Sequence, residues 1–266
     1  MTSLDTAPGD APLRPPVLGA ERRRLTLQLV RSGEVGEVAE LARRFRVSPM
    51  TVRRDLAQLA RQGKLTRVHG GAVSDGEDRP FGVTRVERAA AKERVGRAAA
   101  ALVQDGQTLM IDIGTTTLHL AHALHGRELT VITNSLAVVD DLMGEPTIEL
   151  IVLGGTVRRT YRSVVGMLAE DALRQLSADF AFLGASGVRR EDLAVMDTTM
   201  VEVPTKRGML ASAARSVLLV DAGKFTMGGT VRVCGSAELD TVITNDGVDA
   251  WVVDGMAGLG VELVLA

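Results

Sequence analysis

Apolar residues in the first quarter of the chain recur with helical spacing. Val38, Leu41, Ala42 and Phe45 fall at i, i+3, i+4 and i+7, which predicts the buried stripe of a short helix. Val52, Leu56 and Leu59 predict a second stripe. Between the two, Arg46-Val47 reads as a turn, Ser48 as an N-cap, and Pro49 as a first helical residue, where a missing N–H costs nothing. The polar face of the second helix carries Thr51, Arg54 and Gln58, with Arg53 on its flank, and residues 64–72 predict a hairpin. Further on, residues 85–103 predict one long helix. Apolar runs at 108–113, 129–133, 148–153, 178–183, 216–220, 241–244 and 261–265 then read as strands separated by helical stretches. Near-continuous apolar strands alternating with helices predict an α/β body whose mostly parallel sheet is covered on both faces. A ligand is then expected beyond the C-terminal ends of the strands.

This pattern divides the 266 residues into an arm at 1–20, expected to be disordered, a small domain at 21–73, a polar linker at 74–84 and the α/β domain at 85–266. The arm contains Pro8, Pro12, Pro15 and Pro16 and lacks the charged start and apolar run of a signal peptide. No apolar stretch is long enough to span a bilayer, so a cytoplasmic location without a membrane partner is expected. Cys234 is the single cysteine, which excludes an intrachain disulfide and a cysteine-rich zinc finger.

Charge changes the picture more than composition does. Residues 21–71 hold 12 Lys/Arg against 5 Asp/Glu, a net of +7, whereas residues 72–266 hold 18 against 26, a net of −8. The formal net of −2 therefore conceals a basic head on an acidic body, the asymmetry expected if only the head meets phosphates. A capped helix with arginines near its N-terminus suits a major groove of double-stranded DNA. The head carries Glu40-Leu41-Ala42, Phe45, Val47-Ser48, Thr51-Val52-Arg53-Arg54-Asp55-Leu56, Gly63, Arg67 and His69-Gly70-Gly71-Ala72. These residues resemble the signature of the winged helix-turn-helix of DeoR-family sugar-metabolism regulators. The DNA-contacting set the reading yields is Ser48, Met50, Thr51, Arg53, Arg54, Gln58, Arg67 and His69, with Met50 at a variable position and Arg67 and His69 on the wing.

Polar clusters follow the predicted strands. Asp112, Gly114, Thr115, Thr116 and Thr117 follow the first; Asn134 and Ser135 follow the second; Gly154 and Gly155 follow the third; and Gly184-Ala185-Ser186-Gly187 follows the fourth. Glycine turns, hydroxyls and free N–H groups at a helix start suit an anion. With Glu202, Lys206-Arg207-Gly208-Met209 and Asp221 through Lys224-Phe225, the series also resembles the effector domain of the same family, a likeness that now spans residues 22–266. The resemblance implies a ribose-5-phosphate-isomerase-like fold and a small phosphorylated sugar effector held by Asp112, Gly114, Thr115, Thr116, Thr117, Asn134, Ser135, Gly154, Gly155, Glu202, Lys206, Asp221 and Lys224. The chain departs from the family pattern at Gly223, where many relatives carry Ser, and over residues 192–201.

The expected protein is a transcriptional repressor, a homo-oligomer (dimer or tetramer) without a cofactor, released from its operator by the effector. A second reading is a sugar-phosphate isomerase with a DNA-binding appendage. That enzyme needs an acid/base group at the reacting carbons, and no short motif brings two carboxylates together. Lys206 is expected to contact phosphate or sugar rather than to form a Schiff base. His119, His122 and His125 do not converge on an ideal helix and have no carboxylate near them in sequence, so no metal site is expected.

Overall fold

The structure is a computed structural model that describes residues 18–31, 37–62, 64–68, 71–74 and 81–266. The chain divides into two compact units, Met1–Val73 and Ser74–Ala266. The N-terminal part holds α1 (Gly19–Arg31), α2 (Val38–Phe45), α3 (Pro49–Arg61) and a two-stranded ribbon of β1 (Leu65–Val68) and β2 (Gly71–Ser74). Both expected stripes are buried, and with Leu29 and Leu65 they form one small core. Arg46 adopts the left-handed φ of 53° that ends α2, and the Val47 N–H donates back to Ala42 O. Ser48 Oγ then accepts from the Thr51 N–H at 3.1 Å and caps α3.

Helix α1 is not foreseen by the hydrophobic pattern, and Asp55 supplies a reason for it. This carboxylate on α3 points inward and accepts from Arg22 Nε at 2.6 Å and Arg23 Nη1 at 3.3 Å. Two arginines of the basic head are thus turned towards a buried acid, which fixes how α1 meets α3 more than it adds net stability. Residues 1–17 of the expected arm lie outside the described residues, and Gly19 and Ala20 already belong to α1.

Of the expected linker, residues 75–80 lie outside the described residues, and residues 81–84 are helical. They open α4 (Phe81–Val86), whose Phe81 packs with Leu118 and Ala137 and donates its N–H to Thr160 O at 3.0 Å. The long helix expected at 85–103 is two helices. Arg88 takes a left-handed φ of 51° and separates α4 from α5 (Ala89–Ala100).

The body continues through β3 (Thr108–Ile111), α6 (Thr115–Ala123), β4 (Leu129–Thr133), α7 (Leu136–Leu142), β5 (Ile148–Val152), a hairpin of β6 (Thr156–Arg158) and β7 (Ser163–Val165), α8 (Met167–Leu173) and β8 (Ala178–Leu183). Then come β9 (Gly187–Val188), β10 (Val195–Asp197), α9 (Val203–Ala211), β11 (Ala213–Leu219), β12 (Val231–Cys234), β13 (Thr241–Thr244), α10 (Ala250–Leu259) and β14 (Glu262–Leu265). All seven expected strands enter one sheet in the order β14-β13-β11-β8-β3-β4-β5, and every neighbouring pair is parallel. Strands β9, β10 and β12 form a small antiparallel sheet from segments too short to leave a readable period.

Alternation within the strands builds two cores. Leu109, Ile111, Phe180, Phe182, Val217 and Leu219 bury on one face with α5 and α6, while Met110, Ala181, Leu183 and Leu218 bury on the other with α8, α9 and α10. The strand order reverses between β3 and β8. From β3 the chain moves outward through β4 and β5, and from β8 it moves the other way through β11, β13 and β14. Such a switch point parts the connecting loops and leaves a crevice at the strand ends.

Helix α5 approaches α6 through Gly96. A Cβ there would lie 2.6–2.8 Å from the backbone of His119 and Leu120. Gly96→Ala is expected to lower the body's unfolding free energy by about 1–3 kcal/mol, the usual cost of overpacking. Gly82→Ala, where a Cβ meets nothing within 4 Å, is the control and should leave stability unchanged or slightly raised. Urea midpoints of the two variants check this.

Candidate functional site

On α3 the outward residues are as expected. Arg53 and Arg54 are exposed, Thr51 and Gln58 half-buried, and Met50 is 55% exposed. Ser48 is exposed as well, but its hydroxyl is committed to the cap and to Thr51 Oγ1 at 2.9 Å. Ribbon β1–β2 occupies the position of the expected wing. His69 and Gly70 between its strands, and the side chain of Arg67, lie outside the described residues.

In the body, a cavity of about 530 Å³ opens at the switch point, within the roughly 300–1,000 Å³ typical of small-molecule sites. Gly114, Thr115 and Thr116 form one side. Gly114 has φ +140°, a conformation that disfavours any side chain, and it starts α6 with no side-chain cap. The first N–H groups of a helix have no partner within it, so they offer an anion both donors and the positive end of the helix dipole.

A cationic group stands beside them. Lys92 of α5 is buried, and its Nζ donates to Thr84 O at 2.5 Å. Burial pulls the Lys92 pKa down from 10.5 to about 8; Asp221 opposes this and Lys224 reinforces it. Arg88 Nη1 donates to Asp221 Oδ1 at 2.8 Å, and Asp221 also accepts from the Gly223 N–H at 3.1 Å. A side chain at 223 would overlap the Arg88 guanidinium, so the departure from serine noted above makes room for Arg88 to reach Asp221. A third group carries hydroxyls: Tyr161 OH lies 3.2 Å from Thr198 Oγ1, and Ser186 Oγ donates to the same oxygen at 3.4 Å. All three residues line the cavity.

Lys206 of α9 forms part of the floor, and its ammonium points inward. It donates to Asp112 Oδ2 and to Gly184 O at 2.9 Å, and lies 3.5 Å from Asp197 Oδ2. Burial alone would lower its pKa, but Asp112 and Asp197 outweigh burial and hold the ammonium protonated. Asp112, completely buried, also accepts from the Gly184 N–H at 3.1 Å; burial pushes its carboxyl up against the pull of Lys206. Asp197 accepts from the N–H groups of Thr198 and Thr199 at 2.7 and 3.2 Å.

Of the residues singled out from the sequence, Gly114, Thr115, Thr116, Lys206, Asp221 and Lys224 line the cavity, and Asp112 lies beneath it. Thr117 turns its hydroxyl back to Gly114 O at 3.0 Å. Asn134, Ser135, Gly154, Gly155 and Glu202 are not in the lining; all but Gly154 help to hold the β6–β7 hairpin that presents Tyr161. Asn134 Nδ2 donates to Val164 O at 3.1 Å, and Ser135 caps α7 and bridges Ser163. Gly155, at φ +144°, lets the backbone pass Val165 O where a Cβ would stand 2.5 Å away. Glu202 accepts from Arg158 Nη1 at 2.5 Å and Ser163 Oγ at 2.7 Å, and burial raises its pKa against those partners. Arg88, Lys92, Tyr161, Asp197 and Thr198 line the cavity without having been anticipated. The break at Arg88 converts what reads as a continuous solvated helix into a cavity wall, and no hydrophobic period signals it.

Residues 87–246 match the DeoR C terminal sensor domain and residues 22–78 the DeoR-like helix-turn-helix domain. The chain is 36% identical over 236 residues to the HTH-type transcriptional regulator YgbI of Escherichia coli (strain K12), itself uncharacterized, covering 87% of this chain and 92% of that protein. It is 34% identical over 228 residues to the glycerol-3-phosphate regulon repressor of the same organism, covering 85% and 90%. Among solved structures, ribose 5-phosphate isomerase A from Methanocaldococcus jannaschii aligns with a TM-score of 0.38 and 21% identity over 50% of this chain and 53% of that one. Among the described residues no helix is long and apolar enough to cross a membrane. With both characteristic domains matched in order along one chain, the protein belongs to the DeoR family of DNA-binding transcriptional regulators.

Proposed function

We propose that this regulator is a repressor whose body senses a small phosphorylated sugar or sugar alcohol and whose head releases operator DNA in response. The observation that carries the proposal is the split polarity of the cavity. Lys92, Arg88 and Lys224 gather beside the bare start of α6, where a phosphate dianion gains fixed donors, while Ser186, Thr198 and Tyr161 supply hydroxyl partners for a polyol. Relatives named as a regulon repressor and a transcriptional regulator favour repression through DNA. Lys206 serves in this reading as floor rather than phosphate anchor, since its donors are directed to Asp112, Gly184 and Asp197. That arrangement also favours a sensor over an isomerase, because Asp112 and Lys206 are locked to each other below the ligand space.

Arg53 and Arg54, two of the exposed cations of α3, are directed to the major groove in this reading, with Met50 and Gln58 beside them. The protein acts as a homo-oligomer that presents two heads to paired half-sites, and the effector shifts the equilibrium away from the operator-fitting arrangement. An effector bound at a hundred times its Kd adds about 2.7 kcal/mol to the body's stability, so a thermal-shift panel of sugar phosphates and their free sugars identifies it. Equal shifts by free and phosphorylated sugars would remove the phosphate from the reading.

On DNA selected from random sequence by the purified protein, Arg54→Ala is expected to weaken binding by about 1–3 kcal/mol if Arg54 reads a guanine. If an arginine contacts phosphate only, its loss lowers the salt slope by about one unit without changing sequence preference. An unchanged Kd for both alanine variants at fixed salt excludes these two residues from the interface.

Lys92 and Lys206 should behave oppositely. A phosphate dianion favours the charged form of Lys92, so effector binding near pH 8 should take up protons, and affinity should fall as pH rises through about 8 towards 10.5. Over the same window the ligand-free body should gain stability, because neutral Lys92 no longer bears the cost of a buried charge. Calorimetry in buffers of different ionisation enthalpy reads the proton uptake, which Lys92→Met should abolish while leaving the fold intact. Lys206→Met instead takes the cation from two buried carboxylates and should cost about 3–5 kcal/mol of body stability. Proton uptake that survives in Lys92→Met would show that Lys92 is not the titrating group.

A further inference from the structure

The described residues hold one gathering of metal-ligating side chains away from the cavity. His122 comes from the last turn of α6, His125 from just past its end, and Asp141 from α7 packed alongside; one ligand atom from each lies within 4.8 Å of the others. His119 is not in the group; it faces Glu93 and Lys92. The carboxylate nearest in sequence, Glu128, is not in the group; helix packing brings Asp141 and then Glu145 from 16 residues or more along the chain.

The contacts are unusual in their donor balance. His125 has a carboxylate at each ring nitrogen: Nδ1 lies 3.2 Å from Glu145 Oε1 and Nε2 lies 3.0 Å from Asp141 Oδ2. Glu145 is fixed in place, because its other oxygen accepts from the Gly126 N–H at 2.9 Å. Gly126 has φ +75°, which suits glycine and holds that amide in position. A neutral imidazole has a single N–H. In the tautomer that carries its proton on Nδ1, towards Glu145, the Nε2 lone pair is the ligand atom a metal ion takes beside Asp141; a doubly protonated ring would instead satisfy both carboxylates by hydrogen bonds. The other oxygen of Asp141 faces His122 Nδ1 at 3.5 Å, so a second imidazole addresses the same carboxylate. Bonds of about 2.0–2.1 Å at tetrahedral angles place two ligand atoms about 3.3 Å apart, close to both spacings.

We propose that His122, His125 and Asp141 form a surface site for a borderline divalent transition-metal ion of the Zn²⁺ class, with Glu145 orienting the His125 ring. Two imidazoles and one carboxylate suit Zn²⁺, Co²⁺ or Ni²⁺ and are poor for Mg²⁺ or Ca²⁺, which take all-oxygen sets. A carboxylate on the far nitrogen of a ligating histidine sets its tautomer and raises its basicity. Exposed His122, with a side-chain accessibility of 71%, leaves the ion open to water or to a fourth ligand. The ion clips the C-terminal ends of α6 and α7, the two helices whose N-terminal loops follow β3 and β4 at the cavity end of the sheet.

The test uses the full chain without a histidine tag, dialysed against EDTA and then into metal-free, phosphate-free buffer. Titration with ZnCl₂ by calorimetry should give one saturable site per chain, and CoCl₂ should give the visible absorption of nitrogen- and oxygen-ligated Co²⁺. His122→Ala and Asp141→Ala should each abolish or strongly weaken binding, and Glu145→Gln should weaken it by about 10- to 100-fold, the usual effect of losing an orienting partner. His119→Ala should bind as the parent does. These side chains lie at the surface, so far-UV circular dichroism in EDTA should match across the set; if Asp141→Ala does not fold, His122→Ala carries the test alone. No saturable Zn²⁺ binding by the parent overturns the proposal. Binding that survives in His122→Ala, or that is lost equally in His119→Ala, also overturns it by locating the metal elsewhere.

Discussion

The body depends on a single ammonium placed where charge is hardest to keep. Lys206 is 2% exposed, yet it remains charged because Asp112 and Asp197 face it and Gly184 O accepts from it. Those partners come from the end of β3, the end of β8 and the end of β10, with the lysine supplied by α9, so four elements meet at one cation. The position coincides with the reversal of strand order, where loops diverge and the sheet alone provides no lateral contact. A buried ion pair adds little net stability over an apolar substitute, but its directional bonds admit only one arrangement of the segments that make it. The Gly184 N–H donated to Asp112 closes the loop between the two central strands and sets the level from which α6 begins.

With the floor neutralised internally, the proposed function assigns ligand recognition to the walls. Lys92 is the informative residue, because burial has already weakened its hold on a proton and its neighbours Lys224 and Arg88 are of like sign. An anion that enters is attracted by the cations and also relieves their repulsion, so affinity for a dianion exceeds what any one contact supplies. Gly223 belongs to the same device: by carrying no side chain it gives Arg88 the space to bind Asp221 from the wall. Of the hydroxyls of Ser186, Thr198 and Tyr161, that of Tyr161 is carried by the β6–β7 hairpin, which Asn134, Ser135, Gly155 and Glu202 hold in place.

The strands were legible because a parallel sheet buried on both faces requires long apolar runs, and all seven such runs became its strands. The helix-turn-helix was legible because capping, turn and stripe act within about 25 residues of each other. What sequence reasoning lost were features made by tertiary packing. Asp55 carries no sign of burial in the sequence and is the buried partner of Arg22 and Arg23. Lys206 reads as a phosphate anchor because the residues that engage it lie 9 to 94 positions away. Asn134 and Gly155 carry the polarity and turn chemistry of ligand loops, but the hairpin uses both first. The break at Arg88 needs a left-handed φ at a residue that neither glycine nor asparagine marks, so the wall bearing Lys92 reads as part of one helix.

The two units also solve a shared electrostatic problem. In the proposed function, operator binding and effector binding both call for phosphate recognition, and cationic sites for the two could compete for the same polyanion. Size and sign keep them apart. The head carries a net charge of +7, and Arg53 and Arg54 face outward on α3, where a duplex can approach. The body's net charge is −8, and its cations Lys92 and Lys206 are buried in or under a cavity of about 530 Å³. A continuous phosphodiester backbone meets a repulsive exterior there and cannot enter, whereas a small phosphate ester can be enclosed and shielded from salt. DNA affinity should therefore be steeply salt-dependent and effector affinity only weakly so, because exposed charges release many counterions and enclosed ones few.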